Sequence, residues 1–361
     1  MGRDQLDPNR LIEPHIWGSS RVKPLACGLG ALAAIVLAGC QSAGNTPSPA
    51  PSSPATLSAG KVPPARWDAA AAFDPLRGDF LLFGGRQAMT LLDDTWVHDA
   101  HSWVQISTQT HPSARFSAAA SEDVAHHDLV LFGGASSSGP FADTWLWADQ
   151  SWTEVHPTTS PSPRFGHSMA YDSSRGKVVL FGGQAGPNSI LNDTWIWDGH
   201  DWSEVKTPIS PNSHAFSAMA FDPHAQLMVL IGIYPDSDAS TWTFDGTNWI
   251  RHPSGSGDKP LVNDTPSAYY PTLSKIFIVV AQQRSPVAMS QLLAWDGTRW
   301  TPVSSGSLPP ARGGEAFAYC PSLGRLLLFG GAAATVTANG LEYGDVLADT
   351  WSWDGHVWTR L

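Results

Sequence analysis

The sequence predicts an all-β fold: a six-bladed propeller in which each blade is a sheet of four antiparallel strands. A unit of about fifty residues recurs six times between residues 64 and 361, and such a period is typical of radial repeat folds. Each unit contains four short strand patterns separated by turn residues. Four units carry an Asp-Gly pair that suits a tight turn, because glycine accepts positive φ. The pairs are Asp198-Gly199, Asp245-Gly246, Asp296-Gly297 and Asp354-Gly355.

The third unit shows the predicted strands most clearly. They run over Phe165 to Tyr171, Lys177 to Phe181, Thr194 to Trp197 and Trp202 to Val205. The first strand of each unit is rich in small residues, as in residues 69–72, which fits an innermost strand beside the propeller axis. A glycine ends the second strand at Gly84, Gly133, Gly182, Gly232 and Gly330, and we place Gln282 at this position in the fifth unit.

Fifteen of the 17 tryptophans lie at repeated positions. One series falls near the end of the units, at Trp103, Trp152, Trp202, Trp249, Trp300 and Trp358. A second series precedes it at Trp96, Trp145, Trp195, Trp242 and Trp351, with Leu293 in the fifth unit. We interpret the tryptophans as packing residues between blades rather than as a platform for sugars.

Three repeated features together resemble Kelch repeats: an arginine at the head of the unit, a double glycine after an apolar strand, and a tryptophan near the end. In the third unit these are Arg164, Gly182-Gly183 and Trp202. The resemblance covers about residues 64 to 361. Kelch propellers include protein-binding modules, the copper enzyme galactose oxidase and a sialic acid mutarotase. The resemblance therefore implies the fold, and function has to be argued from a site.

The first sixty residues predict export and a lipid anchor. An apolar run from Leu25 to Gly39 follows Arg21 and Lys23, and ends at Cys40. The tetrapeptide Leu-Ala-Gly-Cys resembles a bacterial lipoprotein signal; the alternatives are an ordinary cleaved signal or a membrane helix, for which the run is short. Residues 1–39 are thus interpreted as a signal peptide, whose acidic start suggests that Met1 is a misassigned start.

Cys40 is then the lipidated first residue of the mature protein. Residues 40–60 are rich in proline and serine and predict a disordered tether, and residues 61–361 form the propeller. We expect an extracytoplasmic protein anchored in a cell membrane by lipid.

The charge and cysteine content exclude two classes of interaction. The mature chain keeps 17 basic and 29 acidic residues, a net charge of −12, which argues against a nucleic-acid partner. Cys320 is the only cysteine left besides Cys40, so we expect no disulfide within the domain.

Six residues stand eighteen positions before the glycine series: Arg66, Arg115, Arg164, His214, Asp264 and Arg312. They predict a ring at one channel mouth that binds an anionic ligand, since guanidinium groups bind carboxylates in two-pronged fashion. The third strands are preceded by Asp94, Asp143, Asp193, Ser240, Gln291 and Asp349. Units with the arginine also have the aspartate, and units four and five lose both. This pattern favours structural arginine–aspartate pairs.

A second layer lies three positions after the ring, at Ala69, Ala118, His167, Ser217, Ser267 and Glu315. His167 and Glu315 belong to units that face each other across the axis. A histidine and a carboxylate suffice for acid–base chemistry, although polar residues in a wet channel need no such role. We assign no catalytic residue, metal or cofactor, since the remaining histidines lie near turns without a third ligand. Tyr319 and Cys320 should point to opposite faces of one strand.

The sequence thus predicts a monomeric, membrane-anchored binding or scaffolding module that meets a protein or glycan partner through its loop face. The alternative is a carbohydrate-active enzyme of the galactose oxidase or sialic acid mutarotase type. The longest loops on that face are predicted over Ala332 to Val346 and around Ser254 to Asp264. The ring should close by side-chain packing between the sixth and first units, without a shared strand.

Overall fold

The computed structural model describes residues 56–59, 61–212, 215–232, 240–252, 265–284, 286–337 and 340–361. The proposed signal peptide, Cys40 and the tether up to residue 55 lie outside this part of the chain. Within the described ranges every regular element is a β-strand. No helix in these ranges has the length and apolar character needed to cross a membrane.

The first three sheets follow one another along the chain. Sheet 1 and its hairpin comprise β1 (Thr56–Ala59), β2 (Ala70–Phe73), β3 (Phe80–Phe83), β4 (Arg86–Gln87), β5 (Thr90–Leu91), β6 (Thr95–His98) and β7 (Trp103–Ser107). Sheet 2 and its hairpin comprise β8 (Ala119–Asp123), β9 (Asp128–Phe132), β10 (Ala135–Ser136), β11 (Gly139–Pro140), β12 (Thr144–Ala148) and β13 (Ser151–Val155). Sheet 3 and its hairpin comprise β14 (Ser168–Asp172), β15 (Lys177–Phe181), β16 (Gln184–Gly186), β17 (Ser189–Ile190), β18 (Thr194–Trp197) and β19 (Trp202–Val205).

The next three sheets continue the same order. Sheet 4 comprises β20 (Ala218–Asp222), β21 (Leu227–Gly232), β22 (Ser240–Phe244) and β23 (Trp249–His252). Sheet 5 comprises β24 (Ser267–Tyr270), β25 (Lys275–Arg284), β26 (Val287–Trp295) and β27 (Trp300–Pro302). Sheet 6 comprises β29 (Ala316–Cys320), β30 (Arg325–Phe329), β33 (Thr350–Trp353) and β34 (Trp358–Arg360), while β28 (Arg312–Gly313), β31 (Ala332–Thr337) and β32 (Gly340–Val346) form a small separate sheet beside it.

Each sheet pairs the four strands of its repeat antiparallel in chain order, from an inner first strand to an outer last one, and in sheet 1 β1 is added outside β7. The inner strands contact one another in a closed circle, β2 to β8, β14, β20, β24, β29 and back to β2. This is the architecture of a β-propeller, and it confirms the predicted all-β class with four antiparallel strands per repeat.

The core lies between neighbouring sheets. The second strands β3, β9, β15, β21 and β30 are buried almost throughout, because a sheet covers each of their faces. Aromatic side chains fill the gaps; Trp202 of sheet 3, for example, lies edge-on to Phe132 of sheet 2 with ring centroids 5.3 Å apart. The tryptophans are packing residues, as predicted.

Backbone hydrogen bonds, in addition to side-chain packing, join sheets 6 and 1 and so close the circle. The Arg66 N–H donates to the Leu347 carbonyl at 3.1 Å, and the Gly331 N–H donates to the Arg66 carbonyl at 2.8 Å. The contact between sheets 1 and 2 has the same two bonds, from Arg115 to Leu92 and from Gly85 to Arg115. Among the described strands none is exchanged between these sheets, as expected, but backbone hydrogen bonds supplement the predicted side-chain packing.

Strand β1 lies within the segment predicted as a tether. It pairs antiparallel with the outer strand β7, from Thr56 opposite Ser107 to Ala59 opposite Val104. The tether interpretation therefore does not hold for Thr56–Ala59. An outer strand leaves a row of backbone groups unpaired, and residues 55–62 are free of proline, so this stretch can pair with that edge.

The double glycine marks a break between the second strand and the hairpin that follows it. Gly133 has φ of 63°, and a Cβ atom there would lie 2.5 Å from the Arg164 carbonyl oxygen, so only glycine fits. Sheet 5 shows the opposite case. Val279 pairs with Leu292 in sheet 5 in the same way that Phe83 pairs with Thr95 in sheet 1. The two residues after Val279 are therefore equivalent to the double glycine that follows Phe83. They are Val280 and Ala281, not Gln282 and Gln283 as the sequence suggested.

Candidate functional site

The four arginines predicted to ring one channel mouth pair with aspartates of their own sheets. Each guanidinium holds its carboxylate by two hydrogen bonds with N–O distances between 2.6 and 3.0 Å. The pairs are Arg66 with Asp94, Arg115 with Asp143, Arg164 with Asp193, and Arg312 with Asp349. The predicted structural pairing is confirmed.

The other donors of these arginines are occupied as well. Arg164 Nη1 donates to the Gly182 carbonyl and Nε donates to the Ser162 carbonyl, each at 2.9 Å. The other three arginines repeat both bonds, and all four side chains are buried. In contrast to the expectation of a ligand-binding ring at the channel mouth, Arg66, Arg115, Arg164 and Arg312 therefore belong to the scaffold.

The paired aspartates also accept a hydrogen bond from the second tryptophan series. In sheet 1, Trp96 Nε1 donates to Asp94 Oδ2 at 2.7 Å. Burial alone raises the pKa of Asp94, but the hydrogen bonds and charge of Arg66 outweigh this effect, so the net pKa lies below its usual value. The pKa values of Asp193 and Asp349 are lowered in the same way by their arginines. These carboxylates are ionised partners of the arginines at neutral pH.

Sheets 4 and 5 lack this network. His214 and Asp264, the predicted ring members there, lie outside the described residues. The corrected register of sheet 5 moves its ring position from Asp264 to Val262, which is also outside them, and moves the second-layer position from Ser267 to Thr265. In place of the aspartate, Gln291 bonds through its side chain to Gln282.

Backbone hydrogen bonds join neighbouring sheets at this end of the inner strands. The N–H of one sheet donates to the carbonyl at the same position of the preceding sheet, at 2.7 to 2.9 Å. The bonds run from Asp68 to Gly314, Ser117 to Asp68, Gly166 to Ser117, and Phe216 to Gly166. Each of these residues has φ between 49° and 66°, a left-handed conformation that is costly for residues other than glycine.

The inner strands enclose an axial channel of about 560 Å³. Alanine and serine line most of it. Three carboxyl side chains line it as well, those of Asp68, Glu122 and Glu315, whereas no lysine or arginine does so among the described residues. Asp68 is paired with Arg86 at 2.7 Å, which leaves Glu122 and Glu315 as the channel carboxyls without a basic partner in this part of the chain.

His167 and Glu315 both line the channel, as their spacing predicted. Glu315 is 4 % exposed, and neither of its carboxyl oxygens has a hydrogen-bond partner within the described residues. Burial raises the pKa of Glu315 to about 8, and burial together with the charge of Arg164 lowers the pKa of His167 to about 3. Both groups are therefore mostly neutral at pH 7.

The opposite mouth of the channel holds residues that the sequence analysis missed. Five aromatic residues and Glu122 line it. All six lie at the equivalent position near the end of the first strand of their sheet. They are Phe73, Glu122, Tyr171, Phe221, Tyr269 and Tyr319. The signal was available for five of the six units, because seven positions after the ring residue the count reaches this position. In the fifth unit the count from Asp264 reaches Pro271, and only the corrected register reaches Tyr269.

Metal ligands do not cluster in the part of the chain that is described: no group of three His, Cys, Asp or Glu side chains there is placed to hold an ion. Cys320 is buried, with Sγ 3.2 Å from Ser322 Oγ. Burial raises the pKa of this thiol. Tyr319 lines the channel, whereas Cys320 packs in the core between sheets 6 and 1.

A family model agrees with the repeats and the sheet pattern. The model of the KLHDC2/KLHL20/DRC7 Kelch-repeats domain matches residues 52–232. The chain belongs to this Kelch-repeat family. No curated protein matches the chain.

Among solved structures, that of YjhT is similar in fold, with a TM-score of 0.57 at 16 % sequence identity. The match covers 83 % of this chain and 98 % of the YjhT chain. At this identity the likeness concerns the fold alone, and the chemistry of the site has to come from the residues described above.

Proposed function

We propose that this Kelch protein is an extracytoplasmic lipoprotein, acylated at Cys40, whose six-bladed propeller binds a protein partner through the face that carries the hairpins between second and third strands. The fold is compatible with a binding module, since Kelch propellers present loops from a rigid scaffold. The anchor rests on the Leu-Ala-Gly-Cys sequence and the apolar run before it.

The observation that carries the proposal is a raised, partly apolar ridge on this face. Strands β25 and β26 of sheet 5 continue as one long hairpin to Arg284 and Val287, and they contact β28, β31 and β32 beside sheet 6. Ser290 Oγ donates to the Pro309 carbonyl at 2.6 Å. The hairpin therefore rests on its neighbour along one side.

The solvent-facing side of β26 presents aliphatic residues. Val287 is 53 % exposed and Met289 is 50 % exposed, and alternate residues of a strand lie on the same face. Aliphatic side chains raised above a polar surface favour a protein partner. A glycan partner would instead use aromatic faces and hydrogen-bonding groups.

The binding experiment uses the acylated protein in its own membrane, with a photo-crosslinking residue at position 286, which is exposed at the tip of the hairpin beside Val287. We expect a crosslinked protein whose yield falls at least tenfold in Val287→Asp/Met289→Asp. Val357→Asp is the matched control, because Val357 is equally exposed at 53 % but lies in a turn between third and fourth strands, at the opposite end of the sheets. Equal loss in both variants, or crosslinking to glycan alone, would contradict the proposal.

The anchor is tested separately. Cys40→Ser should move the protein from the membrane fraction to the soluble extracytoplasmic fraction, with its Tm unchanged because Cys40 precedes the propeller. A Cys40→Ser protein that stays in the membrane to the same extent as wild type would rule out acylation at this residue.

One observation favours the enzyme alternative. A buried carboxyl with its pKa raised to about 8 is protonated at pH 7 and can act as a general acid inside the channel. If a sugar mutarotase activity exists, NMR of anomer exchange should detect it in wild type and not in Glu315→Gln. Equal exchange rates in both proteins and in buffer would remove this second candidate.

A further inference from the structure

The channel mouth opposite the arginine ring is bordered by aromatic side chains and one carboxyl. In sheets 1, 3, 4, 5 and 6 the position is aromatic, and in sheet 2 it is Glu122. All six residues line the axial channel. Tyr171 and Phe221 also pack in the core between sheets, whereas Phe73, Tyr269 and Tyr319 are half-buried. The inner strands form a closed circle, so these residues surround one opening.

The electrostatics of this opening favour positive charge. Glu122 is the carboxyl at this mouth, and the channel lining includes no lysine or arginine within the described residues. The other two lining carboxyls lie toward the opposite mouth, where Asp68 is paired with Arg86 and Glu315 is mostly protonated at pH 7. His167, the one histidine of the described lining, has a pKa lowered to about 3 by burial and by the charge of Arg164. The faces of phenylalanine and tyrosine rings carry negative charge density, which attracts cations.

Glu122 has no ion-pair partner among the described residues. The titratable groups that interact with it are Asp123 and Tyr171, and Asp123 is itself paired with His126 at 2.9 Å. Burial, and then the charge of Asp123, raise the pKa of Glu122 to about 7. A cation in the opening would supply the partner that this carboxylate lacks.

We propose that this mouth of the channel binds a small organic cation, with its ammonium group held between the aromatic rings and the Glu122 carboxylate. The chemical class is an alkylammonium ion. An anion would meet Glu122 and no lysine or arginine within the described lining, and a simple metal ion would not use the aromatic rings. This site is independent of the loop-face surface proposed above.

The test measures binding of tetramethylammonium chloride to the full mature chain by ligand-observed NMR, with sodium chloride balancing the ionic strength. We expect saturable binding to wild type that strengthens between pH 6 and pH 8.5 as Glu122 ionises. Glu122→Gln should weaken binding about tenfold at pH 8.5 and remove most of its pH dependence, with the remainder coming from Glu315 in the same channel. Glu154→Gln is the matched control, because Glu154 is exposed on the outer strand of the same sheet.

A second pair of variants tests the rings without changing charge. Tyr269→Phe keeps an aromatic face and should bind as wild type does, whereas Tyr269→Ala should bind several-fold more weakly. Tm values for each variant establish that the propeller is folded. The proposal is overturned if wild type shows no saturable binding, or if Glu122→Gln and Glu154→Gln bind equally well.

Discussion

Replacing Thr95 by valine tests the hydrogen bonds that join neighbouring sheets. The Trp152 indole Nε1 donates to Thr95 Oγ1 at 2.9 Å, and both side chains are buried. Five such bonds join the described sheets, from Trp103 to Thr350, Trp152 to Thr95, Trp202 to Thr144, Trp249 to Thr194, and Trp300 to Thr241. Valine has nearly the shape of threonine but no hydroxyl, so the indole N–H would remain buried without a partner.

The expected cost follows from that orphaned donor. A buried polar group left without a partner costs about 1–3 kcal/mol, and we expect Thr95→Val to lower the free energy of unfolding by about 1.5 kcal/mol. In domains of 150–250 residues, 1 kcal/mol shifts Tm by about 2–4 °C. The predicted fall in Tm, measured by circular dichroism, is therefore about 3–6 °C at most in this larger chain.

Trp358 supplies a matched control within the same protein. It is 4 % exposed and Trp152 is 3 % exposed, but the Trp358 Nε1 has no partner in the described residues, because Leu292 takes the place of the threonine in sheet 5. Trp→Phe removes the same atoms at both sites, but only Trp152→Phe leaves a hydroxyl unpaired. We expect Trp152→Phe to destabilise more, by about 1 kcal/mol.

The double variant completes the cycle. In a Trp152→Phe background, Thr95→Val should cost little, since its partner is already gone. Equal losses for the two Trp→Phe variants, together with an unchanged Tm for Thr95→Val, would refute the reasoning.

Three further predictions concern the scaffold and the channel. Asp143→Ala should cost about 3 kcal/mol or more, because it leaves the buried Arg115 charge without its partner; denaturant unfolding checks this, and a loss below 1 kcal/mol contradicts it. The pKa of Glu315 is raised to about 8 in the folded protein, so the stability it contributes is present below its unfolded pKa of about 4.3 and lost as pH rises through 8. Tm should therefore fall less between pH 5 and pH 9 in Glu315→Gln than in wild type, and equal falls would show that Glu315 is not the group responsible. In hydrogen exchange, amides of β34 should exchange faster than those of β13, which is also the outermost strand of its sheet, since Trp358 lacks the bond that Trp152 makes; the reverse order would contradict this.

The arginine–aspartate pairs were predictable because the two positions can be compared across six copies of the repeat unit. Four units keep both residues and two lose both, which is the pattern expected when each residue is useful only with the other. The burial of the arginines was not predictable in the same way. It depends on the Gly182 and Ser162 carbonyls that surround Arg164, and backbone acceptors leave no mark on sequence.

The register error in the fifth unit has a definite origin. The sequence analysis aligned Gln282-Gln283 with the double glycine by counting residues from the neighbouring units. In the structure, the pairing of Tyr270 with Lys275 across the first turn sets which residues of β25 are equivalent to those of the other sheets. Counting from that turn places Val280 and Ala281 at the glycine positions. Strand β1 was missed for a different reason: its pairing depends on the free edge of β7, which is a property of the folded sheet and not of residues 56–59.

The absence of the arginine, aspartate, tryptophan and double glycine in sheet 5 has one physical explanation. The aspartate holds both the arginine and the tryptophan of its sheet, and the arginine also needs the first glycine carbonyl, so losing one member removes the use of the others. In sheet 5 the first-glycine and tryptophan positions hold the buried apolar residues Val280 and Leu293. Gln291 takes the place of the aspartate and bonds to Gln282. Replacing a buried ionic network by well-packed apolar residues need not cost stability.

The same replacement changes the shape of the loop face. Where the double glycine is present, its left-handed backbone interrupts the ladder, and a hairpin that is separate from the sheet follows, as β4 and β5 follow β3 and β31 and β32 follow β30. In sheet 5 the ladder runs unbroken from Ile276 to Arg284, because residues with side chains favour the extended conformation. The hairpin that raises Val287 and Met289 above the surface is thus a direct consequence of losing the glycines. Restoring Gly at positions 280 and 281 should break this hairpin and, with it, the surface that we propose as the binding ridge.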